Sequence, residues 1–341
     1  MGGIIVEKGI DFVITWVNDK DTEWRKKKNI ILEKSGMPME KSADNERFRD
    51  YGTLKYLLRS IEKYASWVHE IYLITDNQKP GWMKDDLEGT RLNIVDHQDI
   101  IPHQALPTYN SNAIEFNIDN ISGLSENFVE FNDDLLINKV VSPEDFFKDG
   151  KPRDFRLYKA LIPNSPFDRL LFNDSYALNS WIKGLKNSWP INKYGIFSSQ
   201  YPLRSNIRNL YFRADSHGRI SNYVLSHNAL SFKKSTFEKG KRIWNEEIIS
   251  TILHHFRSET DVTIYLLREY QLETGNFISR APSFSKYFEL SDYKAITDEL
   301  QRQRASLLCI NDADIVDYDS ITKKLRESLE KKFPKKSRFE K

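Results

Sequence analysis

Four short runs of β-branched and aromatic residues constrain the fold of this chain more than any other feature of its sequence. The runs are "DFVITWV" (11–17), "IYLIT" (71–75), "RLNIV" (91–95) and "NFVEF" (127–131), and helical segments separate them. Strands that alternate with helices predict an α/β fold, a mainly parallel sheet with flanking helices on both faces. Sheets of this kind bind ligands in the crevice beyond the carboxyl ends of their strands.

The clearest helix follows the segment "RFRD" (47–50). Apolar residues at the i, i+3, i+4 and i+7 positions form one stripe along it, and these are Leu54, Leu57, Leu58 and Ile61. The charged residues between them are expected to turn away from that stripe, and these are Lys55, Arg59 and Glu62.

Polar residues follow each of the four predicted strands. The sets are Asn18 and Asp19; Asp76 and Asn77; Asp96, His97 and Asp99; and Asn132, Asp133 and Asp134. A single Asn or Asp after a strand is usually a turn former. Four such sets at one predicted edge of a sheet favour a functional site there.

The last set contains two adjacent carboxylates, Asp133 and Asp134. Hard divalent cations such as magnesium or manganese take carboxylate oxygens and share their other positions with substrate phosphates. Neighbouring residues of an extended chain point in different directions. One aspartate is therefore expected to bind metal while the other accepts a proton, and the alternative is a structural turn.

The segment "YNSNAIEFN" (109–117) is typical of a helix start. It offers Asn110, Asn112 and Glu115, with Ser111 or Asn112 as the N-cap. Free N–H groups at such an end favour a phosphate. Capping of the helix, with Glu115 as the third residue after Asn112, explains the same pattern.

Two arginines precede the clearest helix, Arg47 and Arg49, and Asp50 follows them. Guanidinium groups bind phosphates through two parallel hydrogen bonds. The alternative is that each arginine forms a surface salt bridge, which is the commoner interaction of this residue type.

The seven histidines form no His-x-x-x-His or His-Glu-x-x-His pattern, which argues against zinc hydrolysis. His227 in "YVLSHNALSF" and Arg257 in "HHFRSETD" stand beside apolar stretches, where either is a candidate acid, base or phosphate ligand, or a structural residue. The sequence also lacks GxxxxGK[ST], GxGxxG and GxSxG motifs, which argues against NTPase, dinucleotide-binding and α/β-hydrolase functions.

The charge balance limits the classes of partner. The 51 basic and 49 acidic residues nearly cancel, so no overall field favours nucleic acid, and an anion-binding site must be local. Cys309 is the single cysteine, which excludes an internal disulfide and fits a small buried residue in a reducing compartment. We expect a cytoplasmic protein, because no stretch has the about 20 apolar residues of a membrane span and the N-terminus lacks a signal peptide.

The second half of the chain is less regular. Residues 244–258, 260–275 and 291–308 have helical patterns, with Gly275 as a stop signal and Ser291 or Asp292 as a cap. The basic end "KKFPKKSRFEK" is expected to be solvated, with contact to anionic lipid as the alternative. We predict an α/β core over 1–150, an acceptor-side portion over 151–315 that packs on it and completes the site, and a C-terminal helix and tail over 316–341.

Taken in order, these segments resemble the Stealth family of sugar-phosphate transferases, which includes bacterial capsular polymer enzymes and the animal enzyme that tags lysosomal glycoproteins. "IDFVITWVNDKDTEW" is similar to the first conserved region, and "RFRDYGTLKYLLRSIEKYASWVHEIYLITDNQKPGWM" with "VDHQDIIP", "LPTYNSNAIE" and "FVEFNDDLL" to the second. The surroundings of His227 resemble the third region, with Ala229 where the family often has proline. "FRSETDVTIYLL" with "CIND" resembles the fourth.

The resemblance implies a GT-A or Rossmann-like nucleotide-sugar transferase core with a helical C-terminal portion. It assigns nucleotide-sugar binding to the α/β core over 1–150. It also implies transfer of a sugar 1-phosphate from a UDP-sugar to a hydroxyl of a growing capsular or cell-surface polysaccharide, which forms a phosphodiester and releases UMP. The default donor is UDP-N-acetylglucosamine. Peripheral contact with the inner membrane or the capsule export machinery is a further expectation.

The same resemblance suggests roles for the candidate residues. Asp134 is the preferred general base, with His227 as its partner or competitor, and Asp133 is the preferred ligand of Mg²⁺ or Mn²⁺. Arg257 and Arg47 are expected to stabilise phosphate charge. The other predicted substrate-binding residues are Trp16, Val17, Asn18, Arg59, Asn110, Asn112, Glu115 and Asn132.

Two alternatives remain open from the sequence. A metal-dependent UDP-sugar glycosyltransferase also places acidic residues after a strand, but it releases UDP. A non-catalytic carbohydrate-binding protein would use the many aromatic residues and show no turnover. The density of polar residues at strand ends argues against the second alternative.

Overall fold

The structure is a computed structural model that describes residues 9–35, 49–185, 192–215, 219–225, 227–313 and 315–341. The strands are β1 Ile10–Thr15, β2 Ile71–Thr75, β3 Leu92–Asp96, β4 Asn127–Asn132, β5 Leu135–Ile137, β6 Phe147–Lys148, β7 Lys151–Asp154, β8 Tyr158–Lys159, β9 Asn222–Tyr223, β10 Leu230–Lys233, β11 Ile278–Ser279, β12 Ser285–Glu289 and β13 Leu307–Asn311. The helices are α1 Thr22–Ser35, α2 Thr53–Tyr64, α3 His97–Ile100, α4 Ser111–Glu115, α5 Pro166–Gly184, α6 Leu203–Asp215, α7 Lys234–Ile243, α8 Asn245–Leu253, α9 Tyr265–Glu273, α10 Tyr293–Arg302 and α11 Tyr318–Lys332.

The four predicted strands form the centre of the fold. In the described part of the chain they make a sheet of order β10-β4-β1-β2-β3, in which β1, β2, β3 and β4 are parallel and β10 is an antiparallel edge. Phe12 and Ile14 of β1 enter one hydrophobic cluster and Val13 enters another, so the sheet has a core on each face. The predicted fold class is confirmed.

A second sheet lies beside the first. Its strand order is β12-β13-β5, with β5 antiparallel to β13. The helix predicted over 291–308 is wrong at its end, because α10 stops at Arg302 and residues 307–311 form β13. All four residues from Leu307 to Ile310 are buried. A short continuous apolar run fits a central strand, and β13 lies between β12 and β5.

Strands from distant parts of the chain join both sheets. Strand β10 completes the main sheet beside β4, and β13 pairs with β5 directly after the two aspartates. The predicted boundary near residue 150 is therefore crossed by strand pairing in both sheets, and the three-part division stays a prediction.

Helix α2 confirms the predicted apolar stripe, because Leu54, Leu57, Leu58 and Ile61 are buried. Arg59 lies off this stripe, but it is not exposed to solvent. Its guanidinium is buried and donates to both carboxylate oxygens of Glu340, at 2.7 Å each, and to Glu330 at 2.9 Å.

The C-terminal end is also not solvated as expected. Phe333 and Phe339 are buried in the core that α2 faces, and Glu340 forms a β-bridge with Met83. We call the group formed by Arg59, Glu330, Phe333, Phe339 and Glu340 the C-terminal clasp. Apolar burial and a paired arginine hold this basic segment against the body of the protein.

Candidate active site

A cavity of about 540 Å³ opens at the carboxyl ends of β1 and β4. The end of β13, helix α4 and the segments around 227, 257 and 264 complete its walls. Nine of the residues predicted from the sequence line it, namely Trp16, Val17, Asn112, Glu115, Asn132, Asp133, Asp134, His227 and Arg257. The structure thus brings together side chains that lie up to about 240 residues apart in the sequence.

The two aspartates occupy a tight connection between the two sheets. Strand β4 ends at Asn132 in the main sheet, and β5 begins at Leu135 in the second sheet. The backbone carbonyl of Asp134 accepts a hydrogen bond from the Ile310 amide at 3.0 Å. This pairing with β13 fixes the connection, so both carboxylates are held at the cavity by strand geometry.

Both carboxylates are expensive to ionise where they stand. Burial raises the pKa of Asp134 from its ordinary value of 3.8 to about 6, although the thiol of Cys309 donates to its Oδ2 at 3.2 Å and opposes the shift. Burial also raises the pKa of Asp133 well above its ordinary value, and the charges of Asp134 and Asp50 add to this. Perturbed carboxylates in a cleft are typical of functional sites.

The aspartates suit a hard divalent cation. Oδ1 of Asp134 is buried and has no hydrogen-bond partner in the structure. After burial, the charge of Asp134 is the next contribution that raises the pKa of Asp133. A cation would remove both costs. Within the described ranges no group of three or more His, Cys, Asp or Glu side chains is arranged to hold a metal. One or two carboxylates with substrate phosphates is the usual donor set for Mg²⁺.

Arg257 is distant from helix α4 in the sequence but contacts it in the structure. Its guanidinium donates to Ser111 Oγ at 2.6 Å. Burial raises the pKa of Glu115 to about 7, and the charge of Arg257 and a hydrogen bond from Ser111 partly offset this. A cation, a hydroxyl and a carboxyl group therefore stand together at one wall of the cavity.

Contacts behind this wall position Arg257. The Tyr109 amide donates to the His255 carbonyl at 2.7 Å, and the Tyr109 ring stacks on Phe256 at 5.2 Å. The buried Asn110 side chain donates to Asp261 at 2.8 Å. These contacts join the segments around 109 and 257, which lie about 150 residues apart in the sequence.

Two polar side chains of the cavity are available to a ligand. The amide nitrogen of Asn112 is buried and has no hydrogen-bond partner in the structure. Asn132 is exposed, and its Oδ1 accepts a long hydrogen bond from Thr15 Oγ1 at 3.4 Å. A buried donor without a partner is costly, and a ligand that accepts from it would repay that cost.

His227 lines the cavity as an exposed side chain, and its ring packs on Tyr287 with centroids 4.8 Å apart. The protein around the ring, by desolvation, lowers the pKa of His227 below its ordinary value. The neutral imidazole is thereby favoured near neutral pH, as a base requires.

Three predicted substrate-binding residues do not line the cavity. Asn18 is held by Gln78, whose Oε1 accepts from the Asn18 amide at 2.8 Å. Asn110 is the N-cap of α4, where the sequence predicted Ser111 or Asn112, and accepts from the Asn112 amide at 3.1 Å. Arg59 belongs to the C-terminal clasp. Arg47 lies outside the described residues.

Sequence reasoning missed Glu130, a buried carboxylate of β4 that lines the cavity. Burial raises its pKa well above the ordinary value, and the charges of Glu115 and Asp134 add to the shift. The signal in the sequence was a glutamate inside an apolar strand, two residues before Asn132 and therefore on the same face of the sheet.

Arg49 was noticed in "RFRD" but not assigned to the site. It lines the cavity, donates to Asp312 Oδ2 at 2.6 Å and stacks on Tyr318 at 4.0 Å. Asp312 belongs to "CIND", which also contributes Cys309 and Asn311 to the lining. The carboxyl end of β13 and the segment just before α2 therefore form a second wall.

Comparisons with known proteins cover nearly the whole chain. Stealth protein conserved region 1 matches residues 8–36, and conserved region 2 matches residues 47–154. The exopolysaccharide phosphotransferase cps2G of Lactiplantibacillus plantarum is 38% identical over 97% of this chain and 96% of its own length. The capsular polysaccharide phosphotransferase WcwK of Streptococcus pneumoniae is 36% identical over 97% and 98% of the two chains.

A third relative, the receptor polysaccharide phosphotransferase WefC of Streptococcus gordonii, is 32% identical over 98% of this chain and 100% of its own. Among solved structures, the galactosyltransferase LgtC with donor and acceptor sugar analogs aligns with 94% of this chain and 96% of that chain. The identity is 10% and the TM-score is 0.42, a likeness too slight to carry an argument.

Proposed function

This chain belongs to the Stealth family, and from that premise we propose that it is a polysaccharide phosphotransferase which moves a sugar 1-phosphate from a UDP-sugar to an acceptor hydroxyl. The observation that carries the proposal is the pair Asp133 and Asp134 in one cavity with Arg257, in a chain similar over its length to named phosphotransferases. The donor class is a UDP-N-acetylhexosamine, and the acceptor is a growing capsular or cell-surface polysaccharide.

In the proposed reaction the acceptor oxygen attacks the phosphorus that carries the sugar. A new phosphorus–oxygen bond forms to the acceptor, and the bond from that phosphorus to the bridging oxygen of the diphosphate breaks. UMP leaves with the bridging oxygen and its electron pair. The acceptor proton passes to a carboxylate of the cavity, and the glycosidic carbon keeps its bond to oxygen throughout.

Asp134 is the proposed base for that proton. A carboxylate with a pKa of about 6 is ionised near neutral pH, yet it is a better proton acceptor than an ordinary aspartate. Its unpartnered Oδ1 leaves one lone pair for the acceptor hydroxyl. His227 is the alternative base, because its lowered pKa keeps it neutral.

Charge stabilisation is the second requirement, because phosphoryl transfer depends on positioning and neutralisation more than on covalent chemistry. Arg257 is the proposed phosphate ligand. The side-chain amide of Asn112 is proposed to donate a hydrogen bond to an oxygen of the UDP-sugar. Asp133 is the proposed ligand of Mg²⁺ or Mn²⁺, which when bound would neutralise diphosphate charge. Trp16 and Val17 are the proposed nucleotide contacts.

The nucleotide product tests the proposal. Purified protein would be incubated with UDP-N-acetylglucosamine, magnesium and an oligosaccharide acceptor, and the nucleotides separated by anion-exchange chromatography. We expect UMP to rise in step with acceptor elongation. Release of UDP instead would identify a glycosyltransferase, and binding without turnover across a panel of UDP-sugars would identify a carbohydrate-binding protein.

A further inference from the structure

Helix α6 presents its apolar side to solvent and its polar side to the protein. Leu203, Ile207, Leu210 and Tyr211 recur at i, i+4, i+7 and i+8, which places them on one face. Their exposed fractions are 70%, 59%, 50% and 63%. We call these four residues the α6 stripe. A helix that packs on a core normally buries such a face.

Asparagines attach α6 to the body of the protein in place of apolar packing. The buried Asn209 donates to the carbonyls of Arg156 and Ile196 at 2.8 Å each and accepts from the Tyr158 amide at 2.9 Å. Asn206, also buried, exchanges hydrogen bonds with the backbone of Ser198. Asn206 also donates a long hydrogen bond to the Tyr201 carbonyl at 3.4 Å. Six hydrogen bonds between these two side chains and the backbone therefore fix the outward direction of the α6 stripe.

Helix α5 carries a further pair of exposed aromatic residues. Phe172 and Tyr176 of α5 are 50% and 68% exposed, with their rings stacked at 6.5 Å. Helix α6 packs on β8 and α5 packs on β9, and these two strands pair with each other. The two exposed apolar groups thus belong to helices that flank one two-stranded ladder.

The charge around α6 is positive although the whole chain is nearly neutral. Between residues 192 and 225 the sequence has five basic residues, Lys193, Arg204, Arg208, Arg213 and Arg219, and one acidic residue, Asp215. Arg204 and Arg208 are exposed beside the α6 stripe. Apolar residues flanked by arginines are typical of helices that lie in the interface of an anionic membrane.

We propose that the α6 stripe, with Arg204 and Arg208, docks this protein on an anionic lipid surface. A second copy of the chain fits less well, because a twofold contact through the stripe would bring the arginines of both copies together. The basic C-terminal end is not the contact surface, since the C-terminal clasp buries both of its phenylalanines. None of the helices in the described ranges has the length and apolar character to cross a bilayer.

Vesicle flotation tests this proposal independently of the reaction. The full chain should float with vesicles of phosphatidylglycerol and phosphatidylcholine in equal parts, and not with phosphatidylcholine alone. Leu203→Ser/Ile207→Ser/Leu210→Ser and, separately, Arg204→Glu/Arg208→Glu should each lower the bound fraction at least about tenfold. Product formation with a short oligosaccharide acceptor should stay unchanged in both, because neither set lines the cavity.

A label at the stripe gives a direct readout of insertion. Cys309 is the single cysteine and is buried, so Ile207→Cys provides one accessible thiol for an environment-sensitive fluorophore. Its emission should shift to the blue on addition of the anionic vesicles. Val140→Cys is the matched control, because Val140 is 75% exposed outside α6, and its label should not respond.

Three results would overturn the proposal. The first is a chain that does not float, and the second is binding that survives both sets of substitutions or is reported by the Val140→Cys label. The third is a wild-type dimer, measured by light scattering, that the stripe substitutions convert to monomer while vesicles bind neither form. That result would assign the stripe to a second copy of the chain. If the triple serine variant fails to fold, the arginine reversals alone decide between these outcomes.

Discussion

The cavity and the C-terminal clasp both contain buried carboxylates, but the pKa shifts of these carboxylates have opposite signs. In the clasp, Glu340 accepts two hydrogen bonds from Arg59, and although burial opposes the shift, this pairing lowers the pKa of Glu340. In the cavity, burial raises the pKa of Asp133, Asp134 and Glu130 with no cation among the causes. The first arrangement favours the charged folded state, and the second acts against it.

This difference separates structure from function. A paired buried charge costs the fold little once its partner is present, whereas unpaired carboxylates lower stability and are retained where chemistry needs them. The clasp is therefore expected to fail in stability when altered. The cavity is expected to fail in activity and to gain stability.

The largest effect should come from the two aspartates. Asp133→Asn and Asp134→Asn should each lower the rate of UMP release by about 10²–10⁴-fold, because a base and a charge ligand contribute on that scale. Steady-state rates with an oligosaccharide acceptor measure the loss. Asp292→Asn is the matched control, since that aspartate is exposed on the surface. Near-normal rates in both cavity variants would remove the aspartates from the reaction.

A substitution in the C-terminal clasp should lower stability. Arg59→Met removes the two hydrogen bonds that the buried Glu340 accepts from the guanidinium and leaves it only the longer ion pair with Lys55 at 3.6 Å. This change should lower the free energy of unfolding by about 3–5 kcal/mol. Chemical denaturation at neutral pH measures the change. Arg302→Met removes an exposed pair with Asp298 and should cost less than about 1 kcal/mol. Equal losses in the two variants would show that the clasp is no stronger than a surface pair.

Acidity should sharpen the contrast within the cavity. If Asp134 is the base, kcat/KM should fall about tenfold per pH unit below a midpoint near 6 at limiting magnesium. Saturating magnesium should move the midpoint lower, since a nearby cation favours the ionised carboxylate. Glu115, whose pKa is raised to about 7, is the competing explanation. Glu115→Gln should keep the acid limb near 6, and loss of that limb would assign it to Glu115.

The smallest effect should be a gain in stability. Because the folded state holds the Asp134 proton more tightly than the unfolded state, wild-type stability falls as pH rises from about 4 through about 6. The shift corresponds to roughly 3 kcal/mol, which solvent screening of a half-buried group reduces to about 1–2. Asp134→Asn should therefore unfold at higher denaturant than the wild type near pH 8 without magnesium, and equally near pH 4. A less stable variant at both values would contradict the electrostatic interpretation.

The sequence predicted the main sheet well because four strands of alternating or continuous apolar residues leave few other folds. The prediction that polar residues at all four strand ends would form one site holds in part. His97 and the set from Asn132 to Asp134 line the cavity, whereas the polar residues that follow the first two strands do not. The sequence did not predict β13, since four buried apolar residues after a helix continue a helical pattern as easily as they begin a strand.

The errors among the arginines and asparagines have a common cause. Arg59 occupies the polar side of α2, but the C-terminal end folds over that side and pairs with it. Asn110 was predicted to bind substrate, yet it holds Asp261 and thereby positions the segment of Arg257. Such roles depend on contacts between residues more than 100 apart, which local periodicity does not contain. Glu130 was missed for a related reason, because a strand pattern does not reveal which face meets the cavity.

The most direct test of the central claim follows the phosphate attached to the sugar. A UDP-sugar labelled with radioactive phosphorus at that phosphate alone would be incubated with the enzyme, magnesium and acceptor. We predict that the label enters the polysaccharide in proportion to the sugar and that Asp134→Asn slows this transfer by about 10²–10⁴-fold. Label that leaves with UDP while the sugar is incorporated would contradict sugar-phosphate transfer.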